Sequence, residues 1–318
     1  MKVKSTNSIF FSKFSLIFKI ILFVLILSLI TSVIAFSIVA PISKDLRSDI
    51  DKVGIGYKFV DYIDASLHGE NLDSARAALI DATTQIDDVM AAWSGEMAAA
   101  ISILILFIII FAILYFMAFY TITDIVNSFM SSNSDFGFAA NYIKNLKKSF
   151  IFSVFYTLYV IVLYVVGFGL ALAIGLLMSQ LNAILGLFTM VLLAIGTLAL
   201  RRALVPFWMP AMAAKDMSIK DAFIKNFELL KGTFWRMFGE YFVIYTVALV
   251  ALIGAGVLTF GVAVLIVYAG AWLYMQIKDM VEYYHLNGMK YYIDEQKVVN
   301  PKKIYRDAVL DDENFSLN

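Results

Sequence analysis

Cysteine is missing from all 318 residues. That excludes a disulfide framework, a thiolate metal site and a cysteine nucleophile. Histidine occurs only at His68 and His285, proline four times, and charged residues make up 16% of the chain against 61% hydrophobic and 15% aromatic. So small a charged fraction cannot cover the surface of an ordinary soluble domain, and the composition is that of a polytopic membrane protein. Zinc-peptidase HExxH, phosphate-loop and nucleophile-elbow patterns are absent. No apolar segment carries Asp, Glu, Lys, Arg or His near its middle, where proton relays and coupled-ion sites usually stand. The expectation is a protein that is not an enzyme, with no cofactor, no bound metal and no nucleic-acid partner.

What is present is apolar length. A hydrocarbon core about 30 Å thick requires roughly 20 apolar residues per helix. Six segments qualify: 18 to 40, 98 to 120, 150 to 178, 183 to 200 (with a run-on to 210), 238 to 258 and 261 to 280. The links "SQLN" at 179 to 182 and "TFG" at 259 to 261 allow only tight turns. With the N-terminus inside, the single long outer segment holds Lys44, Arg47, Lys52, Lys58 and Arg76, and the other 20 of the 25 Lys and Arg lie inside. The bias of Lys and Arg toward the cytoplasm therefore predicts a multi-pass plasma-membrane protein with both termini cytoplasmic. Lys2, Lys4, Lys13 and Lys19 ahead of an apolar run, with "AFS" at 35 to 37, also resemble a signal peptide. The apolar run is longer than a usual signal core, which favours an uncleaved anchor.

The expected organisation is all-α: an N-terminal segment and first transmembrane helix (1–40), an extracytoplasmic helical hairpin (41–97), the remaining five helices of the bundle (98–280) and a cytoplasmic tail (281–318), disordered beyond Pro301. In the outer segment Leu72, Ala75, Leu79, Ala82, Ile86, Val89 and Trp93 are spaced as a heptad seam, and Leu46, Ile50, Val53, Tyr57, Val60, Ile63 and Leu67 follow nearly the same rule across "HGEN" (68 to 71). Gly54 and Gly56 are weak points, each costing up to about 1 kcal/mol relative to Ala in a helix. The small alanines of this seam bury little area, so a second copy or a membrane-protein partner is expected against the hairpin. The paired carboxylates Asp45 with Asp49, Asp61 with Asp64 and Asp87 with Asp88 match no calcium loop and no acid–base constellation.

A shift of 84 residues places Ser134 on Ser218, Leu146 on Leu230, Lys147 on Lys231, Ser149 on Thr233 and Phe150 on Phe234. "IFFSKFSLIFKIIL" is a fainter third copy. The reading is six transmembrane helices as three helical hairpins in parallel repeat, each preceded by a cytoplasmic interfacial amphipathic helix; the clear ones lie at about 134–149 and 217–232. In "DMSIKDAFIKNFELLKGTFWRMF", Ile219, Ala222, Phe223, Phe227 and Leu230 share one helical face, Ser218 is the N-cap and Gly232 the stop. Such a helix lies in the lipid interface. Arg201, Arg202, Lys220, Lys225, Lys231 and Trp235 are the expected contacts to lipid headgroups, with the Arg pair snorkelling and a buried functional pair as the sharper alternative. Pro206 and Pro210 should kink the chain, and Gly167, Ala171 and Gly175 form a small-residue stripe for close helix packing.

The segment "LVPFWMPAMAAKDMSIKDAFIKNFELLKGTFWRMF" resembles a recurring segment of bacterial six-helix membrane proteins related to the membrane domain of some glycerophosphoryl diester phosphodiesterases. The likeness covers about residues 200 to 260 and implies a fold type. It does not imply hydrolysis, because the catalytic barrel of such enzymes needs around 250 residues. The leading expectation is a scaffold, regulator or accessory subunit. The alternatives are a transport or lipid-handling protein, favoured by an amphipathic cavity between hairpins, and a membrane sensor using the outer hairpin.

Overall fold

A computed structural model of the chain describes residues 2–68, 71–134, 137–293 and 296–301. Among the described residues the helices are α1 Lys2–Ser12, α2 Ser15–Val53, α3 Ile55–His68, α4 Leu72–Ser132, α5 Phe138–Lys144, α6 Leu146–Ser179, α7 Ala183–Leu204, α8 Trp208–Lys215, α9 Ile219–Leu230, α10 Phe234–Leu258 and α11 Val264–Leu286. A two-residue antiparallel pair follows, β1 Tyr291–Tyr292 with β2 Val298–Val299, in which Tyr291 faces Val299. Among the described residues, six helical stretches are long and apolar enough to cross a membrane, and they coincide with the six expected from hydropathy. The chain is thus an all-α polytopic membrane protein in its main body. The strand pair departs from that reading, although "YYI" and "VV" carry the aromatic and β-branched residues that strands favour. Residues 302–318, where disorder was expected, and residues 69–70 of the turn "HGEN" lie outside the described residues.

The chain divides into two compact units, Ile26–Phe111 and the remainder. Within Ile26–Phe111, span and outer helix are not separate elements, since both α2 and α4 continue through the expected boundaries, α2 with Pro41 inside it. Ala75, Leu79, Ala82, Ile86, Val89 and Trp93 are protected positions of α4, as the heptad spacing predicts, whereas Leu72 at the start of the expected seam is exposed. Trp93 Nε1 donates to Asp49 Oδ2 across the pair at 3.1 Å. On the facing helices of the seam, α2 and α3, the expectation holds only to Val53. Gly54 adopts a left-handed backbone (φ +66°), which ends α2 and rotates the next helix. Lys58, Tyr62 and Ala65 become the less exposed positions of α3, while Tyr57 is 81% and Leu67 76% exposed, with Val60 and Ile63 also outward.

In the other unit, small residues decide the closest helix pair. A Cβ on Gly167 would lie 2.3 Å from Thr197 Cγ2, and one on Gly175 would lie 2.0 Å from Met190 Cγ. Ala171 between them is buried. The stripe therefore packs α6 on α7, which run antiparallel about the turn capped by Asn182, whose side chain accepts from Ile184 N and Leu185 N. The last part of α4 runs alongside α11 in the same direction. Phe119 packs against Trp272 with tilted rings (centroids 4.4 Å apart), Thr123 Oγ1 donates to Gln276 Oε1 at 2.8 Å, and Tyr284 Oη donates to Asn127 Oδ1 at 2.8 Å.

Each of α2, α6 and α10 is preceded by a short helix, namely α1, α5 and α9. The expected segment 134–149 is broken: α5 ends at Lys144, and Asn145 turns the chain with its side chain donating to Asp124 Oδ2 at 2.8 Å. Residues 135–136 lie outside the described residues. The second segment matches better, since Ser218 Oγ caps α9 by accepting from Asp221 N, and Gly232 follows the helix with φ +79°. The proline region is corrected in detail. Pro206 sits in a three-residue break between α7 and α8, whereas Pro210 lies in the first turn of α8, where a missing N–H leaves no bond unmade, and causes no kink.

Candidate functional site

The break at residues 205–207 leaves backbone groups to satisfy away from water, and Asn226 of α9 supplies both partners. Its Oδ1 accepts from Phe207 N at 2.9 Å and its Nδ2 donates to Leu204 O at 2.8 Å. Asn226 is fully buried, in line with Ala222 and Leu230 at four-residue spacing. The face of α9 that packs inward therefore differs from the one expected, because Phe223 and Phe227 remain partly exposed.

Arg201 and Arg202 stand just before this break and do not reach a lipid surface; they are 7% and 1% exposed. This corrects the snorkelling expectation, and the physical cause is a set of partners from α6, α10 and α11. The Arg202 guanidinium is in direct contact with the Asp279 carboxylate, which also accepts from Tyr241 Oη. Arg201 Nη2 donates to Tyr245 Oη at 3.1 Å, its carbonyl accepts from Tyr159 Oη at 2.9 Å, and its guanidinium lies 5.6 Å from the Tyr164 ring centre. These partners meet part of the charge and hydrogen-bonding demand that burial places on the pair.

The Tyr241 ring has a second neighbour, Lys278 Nζ, 4.2 Å from its centre. Lys278 belongs to the wall of an open groove between α1 with the start of α2 on one side and α10 with α11 on the other. One end of this groove, of about 470 Å³, is charged. Lys2 Nζ lies 2.8 Å from Glu282 Oε1, Arg236 Nη1 lies 2.8 Å from Glu240 Oε1, and Lys278 Nζ lies 2.8 Å from Glu240 Oε2. Arg236 also contacts Glu282, closing a chain of three cations and two carboxylates. The other end, of about 480 Å³, is lined by Phe10, Phe14, Ile17, Val247, Ala251 and Ile266. The two ends share Val243, Ile244 and Tyr274 and so form one largely apolar groove, with paired ionic side chains in its wall at one end only.

Of the remaining expected lipid contacts, Lys220, Lys231 and Trp235 are exposed, Trp235 at 78%, and Lys225 pairs with Glu228 at 2.8 Å. That ammonium holds the Glu228 carboxyl below its ordinary range. Trp235 lines the charged end of the groove. The Lys148 ammonium, 2.6 Å from Asp216, likewise lowers the Asp216 carboxyl. His285 Nε2 lies 2.8 Å from Tyr291 Oη. Burial raises the Tyr291 hydroxyl above its usual range. Sequence reasoning missed Asp279, Tyr241, Tyr245, Asn226 and the groove. The one local signal was an asparagine at the centre of an otherwise apolar four-residue spacing in α9.

Comparison with models of known protein families, with curated proteins and with solved structures finds no match.

Proposed function

We propose that this chain is a non-enzymatic, lipid-handling protein of the plasma membrane that holds one lipid-like amphiphile in the groove between α1–α2 and α10–α11. The observation that carries this reading is an apolar groove, walled by Phe14, Val247, Ala251 and Ile266, with the Lys2–Glu282–Arg236–Glu240–Lys278 chain at one end. A headgroup beside mixed charges and an acyl chain along aliphatic side chains are the two halves of one ligand. Lys220, Lys231 and Trp235 would rest at the cytoplasmic headgroup level, where each basic residue adds roughly 1 kcal/mol of attraction to anionic lipid. The three short helices ahead of α2, α6 and α10 support a threefold hairpin repeat with cytoplasmic lead-ins. The resemblance over residues 200 to 260 enters this reading as fold type alone.

The test is lipid retention by the detergent-purified full chain, read by native mass spectrometry. Ala251→Trp fills the apolar end and is expected to reduce the retained lipid several-fold while the melting temperature stays near that of the wild type. Equal retention in the two proteins rejects the groove as the binding site.

The scaffold or accessory-subunit reading keeps one specific support, the outward stripe of Tyr57, Val60, Ile63 and Leu67 on α3. Its near-heptad spacing is self-complementary, so the occupant proposed is a second copy of this chain. Val60→Cys should form a disulfide-linked dimer on mild oxidation, and a persistent monomer rejects this arrangement.

A further inference from the structure

The Arg201–Arg202 cluster is charged beyond its own needs. Arg202 meets the carboxylate of Asp279, whereas the neighbouring Arg201 guanidinium has no acidic partner among the described residues. Arg201 is held only by neutral groups, the Tyr245 hydroxyl and the Tyr164 ring. Tyr156 lies within electrostatic range of both arginines, and Tyr115 and Tyr268 within range of Arg201. The donor surplus points the same way. Nε of Arg201, Nε and Nη1 of Arg202 and the Tyr156 hydroxyl are buried without a hydrogen-bond partner. An uncompensated buried charge costs several kcal/mol, and unmade buried hydrogen bonds about 1–3 kcal/mol each. A single small anion removes both penalties at once.

From these observations we propose that the Arg201–Arg202 cluster is a binding site for one monovalent anion of halide size. The size follows from enclosure, because Arg202, Tyr156 and Tyr241 are each within 1% of fully buried. A lipid headgroup would have to bring its glycerol and chains in among these buried side chains. The site is separate from the groove on the outer side of Tyr241 and does not rest on lipid binding.

The experiment is thermal unfolding of the detergent-purified full chain in sodium chloride, bromide and gluconate at equal ionic strength. Chloride and bromide are expected to raise the melting temperature saturably by about 3 °C or more over gluconate. Arg201→Gln, which removes the excess charge, should abolish the difference. Tyr245→Phe serves if that variant does not fold; by withdrawing a hydroxyl from Arg201 it should weaken the anion dependence and shift its midpoint to higher chloride. Identical melting of the wild type in chloride and gluconate overturns the proposal. So does an undiminished chloride effect in Arg201→Gln or, where that variant cannot be made, in Tyr245→Phe.

Discussion

Asp279 illustrates how much one side chain can carry. It is the acid in contact with Arg202, and removing it leaves a guanidinium buried without a countercharge. Asp279→Asn is expected to destabilise the chain by about 3–5 kcal/mol, whereas the double variant Arg202→Met, Asp279→Leu should recover most of that loss, because an apolar pair needs no solvation. Chemical denaturation in detergent measures both, and a wild-type midpoint for Asp279→Asn would reject the pair as a structural tie. Asn226→Ala should cost about 2–4 kcal/mol, since Phe207 N and Leu204 O each lose a buried partner. Asn226 left one local trace in the sequence, its place within an apolar spacing, and Asp279 left none. Asp279 stands among Lys278, Glu282 and several tyrosines that read as an ordinary helix end, and only its position opposite α7 separates it from them.

At the scale of elements, caps and small-residue stripes were legible because they depend on neighbours a few residues away. Ser218, Gly232 and the Gly167, Ala171, Gly175 stripe do what their spacing predicts. Gly175→Ala should cost about 1–3 kcal/mol by forcing Met190 aside; an unchanged melting temperature would show that α7 yields freely. The register of α3 was not legible, because one left-handed residue at Gly54 rotates everything after it. Gly54→Ala should therefore strain the turn by about 1–2 kcal/mol, read as faster proteolysis within residues 41–97. The tie between α6 and the α8–α9 link is pH-dependent. The Asp216 carboxyl is lowered by Lys148, so the stability this pair adds is present above the ordinary carboxyl range and is lost as pH falls through the depressed value. The pair is exposed, which keeps the effect small. Asp216→Asn should flatten the wild-type acid dependence of melting; an identical profile in the two proteins would deny the pair that role.

At the scale of the molecule, the absence of cysteine makes orientation directly measurable. Ala75→Cys should react with an impermeant maleimide on intact cells, and Lys225→Cys only after permeabilisation. The reverse pattern would invert the inside bias of Lys and Arg and move the groove's charged end to the outer face. The groove itself could not be foreseen, because Lys2 meets Glu282 and Phe10 meets Tyr274 only when the first helix lies along the last.

By itself the sequence determined the membrane class, the six apolar segments, the seam of α4 and the turns that end α9 and begin α7. All of these follow from periodicity, length and local hydrogen bonding. Only the tertiary structure decided that Arg201 and Arg202 turn inward, that Asn226 spans the break after Leu204, and that an amphipathic groove opens beside α11. The physical reason is that a buried charge or an orphaned backbone group is tolerated only beside particular partners. Here those partners arrive from helices far away in the chain.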